Sequence, residues 1–203
     1  PADVSSAAFL LVGASIAPGS DVLLKHVGMN PTRVGILNIL TLMGADITVR
    51  NPREIGGESV ADLQVRHAPM HGIDIPEDEV PLAIDEFPAL FIAAACATGT
   101  TILRGASELR VKESDRIAAM AEGLTTLGIK NEPTPDGIVI EGGKLSGGSV
   151  RTFHDHRIAM AFAIAGLRAS APIEVLDCDH VATSFPGFAE LISCAGLCFD
   201  ERT

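Results

Sequence analysis

The stretch DEFPALFIAAACATGTTILRGASELRVKESDRIAAMAEGLTTLGIK, residues 85–130, contains the pattern that decides the fold. An apolar helical run is followed by a break, a short strand, a polar loop and a second helix that ends at Gly128, before another strand. Residues 5–49 and 155–199 repeat this plan with nearly the same spacing. Three repeats of this length predict a pseudo-symmetric domain rather than an open solenoid.

Further strands are predicted between the repeats. Residues 61–68 (ADLQVRHA) alternate in polarity, and residues 137–143 (GIVIEGG) form a β-rich run that ends in glycine, whereas residues 142–150 are predicted to be a turn-rich loop. Helices that alternate with strands in this way predict an α/β fold with mixed sheets. We expect one domain, residues 1–203, with units at about 1–68, 69–141 and 142–203.

Composition narrows the class of protein. The 203 residues are 47% hydrophobic and 4% aromatic, so that Ala, Leu, Ile and Val must fill the core. The apolar runs Ala89 to Ala97 and Ile158 to Leu167 are too short for a membrane span and predict buried helices. A net charge of −11 argues against nucleic acid as a partner.

The cysteines and the first residues give two further expectations. The chain has 4 Cys and none forms a CxxC pair, which predicts buried free thiols in a reducing compartment, and hence a cytoplasmic protein. The chain opens with PADVSSAAFLL, without a Met and without a signal peptide. We therefore expect a fragment of a longer polypeptide.

Residues that commonly cap helices stand at each predicted helix start. Because helix N-termini carry free N–H groups and the positive end of the helix dipole, a common face for them would attract anions. Proline follows at positions 31, 88 and 186, as in a first helical turn. The predicted caps are Asp3 or Ser5, Asn30 or Thr32, Asp85, Ser114 with Asp115, Asp155 and Ser184.

Three of these helix starts carry unusual charges. Each set also fits a plain structural interpretation, as a cap or a solvated first turn, and Glu113 with Arg116 fits an i,i+3 ion pair. However, Lys and Arg are disfavoured at the positive end of a helix unless an anion sits there. The three sets are Asp85; Lys112, Glu113 and Arg116; and Asp155, His156 and Arg157.

Other chemistries have weaker support. His154, Asp155 and His156 have an H-x-H spacing, but no further ligand group at usual spacing supports a metal site. The chain contains no G-x-S-x-G, no P-loop and no dinucleotide-binding fingerprint.

The charged sets also carry a resemblance. IDEFP, RVKESDRIAAMAEGLTTLG, HDHRIAMAFAIAGL and ATSFPGF, in this order, together with PADVSSAA at the start, closely resemble the C-terminal half of the 5-enolpyruvylshikimate-3-phosphate synthases. The similarity covers the whole chain. It implies an inverse α/β barrel domain of the enolpyruvate transferase type, with three βαβαββ units, the first incomplete at its N-terminus. It also implies a partner domain of the same polypeptide that this chain lacks.

The resemblance implies roles for single residues. The family transfers the enolpyruvyl group of phosphoenolpyruvate to the 5-hydroxyl of shikimate 3-phosphate and needs neither metal nor organic cofactor. Asp85 would be the base and Glu113 the acid, Lys112 would contact shikimate 3-phosphate, and Arg116, Arg157 and His156 would hold phosphoenolpyruvate. We expect the chain alone to be inactive, because other ligands of shikimate 3-phosphate belong to the missing domain.

Two positions depart from the family pattern. Thr183 stands where many members have a Lys that contacts phosphoenolpyruvate, and Glu108 stands where some have an Asn. Both departures are similar to the subclass whose bacterial members tolerate glyphosate, although the deciding residue lies outside this chain. Rival interpretations are a UDP-N-acetylglucosamine enolpyruvyl transferase, an RNA 3′-phosphate cyclase and a non-catalytic anion-binding domain. Arg110 has no role that the sequence supports.

Overall fold

A computed structural model describes residues 1–198, and these residues form three sheets around packed helices. In the first sheet, β3 lies between β1 and β2 and is antiparallel to both. The prediction of a strand over residues 61–68 is confirmed by β3. The first group of elements is α1 (Val4–Ile16), β1 (Asp21–Gly28), α2 (Gly35–Leu42), β2 (Asp46–Ile55) and β3 (Glu58–Arg66).

The second group repeats this order of elements. Its sheet also has the last strand, β6, between the other two, and β6 confirms the strand predicted over residues 137–143. A 3-10 turn at Ser107–Val111 precedes the second helix of this group. The elements are α3 (Phe87–Cys96), β4 (Thr100–Leu103), α4 (Arg116–Thr126), β5 (Asn131–Thr134) and β6 (Gly137–Glu141).

The third group has a shorter sheet, in which β7 and β8 pair in parallel. The prediction of a loop over residues 142–150 was wrong at its end, because β7 begins at Gly148 and pairs with β8. The strand expected after Gly196 extends to Phe199, which lies outside the described residues. The elements are β7 (Gly148–Arg151), α5 (His156–Ala165), β8 (Ile173–Leu176), α6 (Val181–Ser184) and α7 (Phe188–Cys194).

The helices α1, α3 and α5 pack against one another and form the centre of the molecule. Each is apolar on nearly every side, as expected for a helix that touches other elements all around. Gly13 near the end of α1 faces Ile164 near the end of α5. At the other end, Ser5 in the first turn of α1 and Arg157 in the first turn of α5 both bond residues just before α3, so the helices run in parallel. The α/β fold with helices inside and mixed sheets outside agrees with the prediction.

One glycine allows the helix α4 to approach this centre. A Cβ atom on Gly123 would lie 2.1 Å from the ring of Phe162 in α5, so any side chain there would force this fully buried ring to move. The two helices also meet at their first turns, where Arg116 is within bonding distance of Asp155.

The predicted helix caps are only partly correct. Asp3 caps α1 and Asp155 caps α5, as predicted. At α4, of the two residues predicted for the cap, Asp115 caps the helix and Ser114 does not. At α3 the prediction was wrong in position, because Glu86 rather than Asp85 precedes the helix. The helices α2 and α7 begin after Val34 and Gly187, without a side-chain cap, so the predicted caps near residues 30 and 184 do not exist.

The cysteines also differ from the prediction. Cys96 is half-buried, and burial raises the pKa of its thiol to about 12. The thiols of Cys178, Cys194 and Cys198 are free but exposed, so the prediction of buried thiols was wrong for these three. Within residues 1–198, no helix is long and apolar enough to cross a membrane.

Candidate active site

The three central helices begin at one corner of the molecule, and Asp155 is its most deeply buried carboxylate. Its side chain accepts hydrogen bonds from the backbone N–H groups of Arg157 at 2.9 Å and Ile158 at 3.4 Å, which caps α5. The same carboxylate accepts bonds from Arg116 Nε at 2.8 Å and Ser114 Oγ at 3.1 Å. A helix cap thus also anchors the start of α4.

Arg116 is the centre of the charge network at this corner. Its side chain is only 1% exposed, and its guanidinium group faces three carboxylates. The distances are 2.8 Å from Nε to Asp155, 3.3 Å from Nη1 to Asp85 and 2.6 Å from Nη2 to Glu113. A buried arginine is tolerated here because several carboxylates compensate its charge.

Asp85 lies where cations from three elements meet. Its carboxylate is 3.3 Å from Lys112 Nζ, 3.3 Å from Arg116 and 4.0 Å from Arg157 Nη2. Burial by itself would raise the pKa of Asp85, but the nearby charges of Arg157 and Lys112 outweigh it and the pKa falls below its ordinary value. Asp85 is therefore ionised at neutral pH and can accept a proton.

Lys112 links this corner to one of the two departures from the family pattern. Its ammonium group donates a hydrogen bond to Glu108 and lies 3.3 Å from Asp85. The bond to Glu108 is the main reason that the pKa of Lys112 lies above its ordinary value, and the charge of Asp85 adds to it. Lys112 thus keeps its positive charge beside the base candidate.

Glu113 and His156 line the open side of the corner. The Glu113 side chain is 52% exposed while its carboxylate bonds Arg116, so the group is anchored yet accessible. His156 is half-buried at the start of α5. Burial, helped by the charge of Arg157, lowers the pKa of His156, so its imidazole is neutral at pH 7.

Arg110, for which the sequence indicated no role, holds the loop before α4 in place. Its guanidinium group donates to the backbone carbonyls of Thr134 and Pro135 and to the Asp115 carboxylate at 2.7 Å. These bonds tie the loop before α4 to the strand β5. They fix the backbone that carries Lys112 and Glu113.

All six residues predicted for the site lie at this corner or beside it. The sequence placed Asp155 in a charged set and as a cap, but did not indicate that it pairs with Arg116. It did not indicate that Glu108 belongs to the network, because Glu108 was interpreted only as a departure from a family pattern. Glu86 follows Asp85 in the chain and is bonded by Ser5, which in turn is bonded by Arg33. These three residues gave no signal beyond their place near a helix start. Among residues 1–198, no three His, Cys, Asp or Glu side chains are grouped so that they could hold a metal ion.

Comparison with a solved structure identifies the fold. The chain superimposes on an enolpyruvyl transferase, NikO from Streptomyces tendae, with a TM-score of 0.76 at 16% identity, covering 96% of this chain and 43% of that one. At this identity the likeness concerns the fold alone. The fold is that of the enolpyruvyl transferases, and the predicted fold class is confirmed.

Closer matches give the family. Residues 1–192 match the EPSP synthase (3-phosphoshikimate 1-carboxyvinyltransferase) family, and the chain belongs to it. EPSP synthase from Acinetobacter baumannii has a TM-score of 0.96 and 54% identity over the whole of this chain and 47% of its own. The 3-phosphoshikimate 1-carboxyvinyltransferase of Methylococcus capsulatus is 67% identical over 197 residues, which are 97% of this chain and 45% of that protein. The chain thus spans about half the length of its relatives.

Proposed function

We propose that this chain is one domain of a longer polypeptide that transfers the enolpyruvyl group of phosphoenolpyruvate to the 5-hydroxyl of shikimate 3-phosphate. The products are 5-enolpyruvylshikimate 3-phosphate and phosphate. The observation that carries the proposal is the meeting of Asp85, Lys112, Glu113, Arg116 and Arg157 at one corner, in a chain of the EPSP synthase family. The proposal takes this domain as residues 1–203 with the three units predicted above, in a cytoplasmic enzyme.

The geometry supports a division of the acid and base roles. Asp85 is ionised beside three cations, so it can take the proton of the 5-hydroxyl as the oxygen attacks C2 of phosphoenolpyruvate. Glu113, at the accessible side of the corner, gives a proton to C3 from the protonated form of its carboxyl group, and a tetrahedral ketal phosphate results. The two groups reverse their roles when phosphate leaves.

The cations supply the binding of the anionic substrates. Arg157 and Lys112 are partly exposed beside Asp85, with side-chain exposures of 16% and 20%, and they can reach a bound anion. Arg116 already contacts three carboxylates. It can bind phosphoenolpyruvate directly only if the Glu113 or the Asp85 side chain moves away from its guanidinium group. Neutral His156 offers a hydrogen bond without adding charge.

Turnover is the direct test. The longest polypeptide encoded by the gene that contains this chain should release phosphate when shikimate 3-phosphate and phosphoenolpyruvate are both present, and not with either substrate alone. The 203-residue chain by itself should show no turnover. Absence of turnover in the long polypeptide would overturn the proposal and favour a non-catalytic anion-binding domain. Turnover with UDP-N-acetylglucosamine instead would assign the rival transferase activity.

A further inference from the structure

Glu86 is a buried carboxylate that the proposed reaction does not use. The residue is only 4% exposed and directly follows Asp85. It occupies the position before the first turn of α3, yet its side chain makes no capping hydrogen bond to that helix. A buried carboxylate requires compensation, so its partners must lie elsewhere in the fold.

Those partners come from the other two central helices. Ser5 in α1 donates its hydroxyl proton to Glu86, and Arg33 Nη2 in turn donates to Ser5 Oγ at 2.7 Å. On the other side, Arg157 Nη1 in α5 lies 3.8 Å from Glu86 Oε1. Burial raises the pKa of Glu86 above its ordinary value and the charge of Asp85 adds to this, while the bond from Ser5 and the charge of Arg157 offset only part of the rise.

Arg157 is consequently placed between two neighbouring carboxylates. Its Nη1 donates to the backbone carbonyl of Asp85 at 3.0 Å and lies 3.8 Å from Glu86 Oε1, and its Nη2 is 4.0 Å from the Asp85 carboxylate. Both carboxylates are thus within ion-pair distance of Arg157, and both are too far for a hydrogen bond. If the charge of Glu86 were removed, Asp85 would be the one carboxylate among residues 1–198 left within 4.0 Å of Arg157. The guanidinium group would then turn toward the Asp85 side chain.

We propose that Glu86, seated by Ser5 and Arg33, is a positioning residue that holds Arg157 away from the Asp85 carboxylate. In this position, one side of the Arg157 guanidinium group remains available to bind the anion of phosphoenolpyruvate, and Asp85 remains available as a base. The role rests on the proposed function. It links the first turns of all three central helices, since Ser5, Glu86 and Arg157 belong to α1, the start of α3 and α5.

The test is Glu86→Gln in the long polypeptide. Gln keeps the size and the oxygen that accepts from Ser5, but it loses the charge that faces Arg157. We expect the KM for phosphoenolpyruvate to rise about tenfold, with the KM for shikimate 3-phosphate changed less than about twofold. Glu86→Asp, which retains the charge, should recover part of the loss, and Ser5→Ala should act in the same direction as Glu86→Gln but more weakly.

The matched control is Asp62→Asn, which neutralises another buried carboxylate that has no partner at the corner. It should lower the Tm and leave both KM values unchanged. If Glu86→Gln behaves like this control, or raises both KM values equally, Glu86 is a structural residue and the proposal is overturned.

A readout without turnover separates this proposal from the proposed function. Crystal structures of the parent and of Glu86→Gln should show the distance between Arg157 Nη2 and the Asp85 carboxylate shortening from 4.0 Å to hydrogen-bond length. An unchanged distance would overturn the positioning role even if the enzyme is active. A shortened distance would support it even if the parent turned out to use another substrate.

Discussion

Asp62 in the first sheet and Arg116 at the start of α4 are both buried charges, but their partners differ in origin. Asp62 accepts from the His26 backbone N–H at 2.9 Å, Asn51 Nδ2 at 2.9 Å and Arg53 Nη2 at 3.2 Å. These three donors belong to β1 and β2, the neighbours of β3 in the same sheet. Arg116 instead contacts carboxylates that precede α3, α4 and α5.

The Asp62 cluster stabilises irregular backbone. His26 and Asn51 have φ values of 60° and 48°, in the left-handed region, and each lies where the register of its strand shifts. Hydrogen bonds from Asn51 and His26, more than the charge of Arg53, lower the pKa of Asp62 to about 2. This cluster is closed, since every donor is committed to one sheet.

The Arg116 cluster is open on one side. Asp85 and Glu113 have side-chain exposures of 36% and 52%, whereas Arg116 and Asp155 are buried. The buried pair sets the geometry, and the exposed carboxylates can exchange partners with a substrate. A buried charge whose partners all belong to one sheet, such as Asp62, stabilises the fold. A buried charge whose partners come from separate units and remain accessible, such as Arg116, can also support chemistry.

Replacing the shared cation should have the largest effect. Arg116→Ala leaves Asp155 buried without its ion-pair partner, and we expect a loss of about 3–5 kcal/mol in the free energy of unfolding together with loss of turnover. Urea denaturation checks the first effect and phosphate release the second. A loss below about 1 kcal/mol would contradict the central place of Arg116 in the network.

Replacing an exposed carboxylate of the same cluster should separate activity from stability. Glu113→Gln removes the proposed acid but keeps a side chain of the same size, so turnover should fall about 10²-fold or more, with less effect on shikimate 3-phosphate binding. Steady-state kinetics of the long polypeptide measures this. Near-normal turnover would remove Glu113 from the acid role.

Replacing Asp62, the carboxylate of the closed cluster, should lower stability and leave activity unchanged. Asp62→Asn exchanges an acceptor for an amide that cannot serve all three donors, and the Tm should fall by a few degrees. Differential scanning calorimetry gives the shift, and KM values should not change. An altered KM for phosphoenolpyruvate would show that the two clusters are coupled.

The smallest expected effect is the loss of the stabilisation by Asp62 at low pH. Because the folded pKa of Asp62, about 2, lies below its unfolded value of 3.8, ionised Asp62 stabilises the fold above pH 3.8. This contribution is lost as the pH falls through about 2. The difference in stability between the parent and Asp62→Asn should therefore shrink in acid, as urea midpoints at successive pH values would show. A difference that is constant with pH would contradict the assignment.

Local pattern predicted the regular elements well. The apolar runs that became α3 and α5, the alternation in β3 and the β-rich run in β6 all reflect side chains that face the core at the period of their own element. Such periodicity can be detected from residues that are close together in the sequence. The predicted helix starts were less accurate, because several residue types can cap a helix. Which residue does so depends on the backbone conformation of the segment that leads into the helix.

Contacts between distant residues explain what the sequence did not show. Ser5 and Glu86 are 81 positions apart and Arg157 and Asp85 are 72 apart, so no local pattern could pair them. By itself, the sequence determined three repeats, an α/β fold, the family and the group of charged residues. Only the tertiary structure decided which carboxylate Arg116 compensates, which cations face Asp85 and where Glu86 acts, because these depend on how three parallel helices pack at one corner.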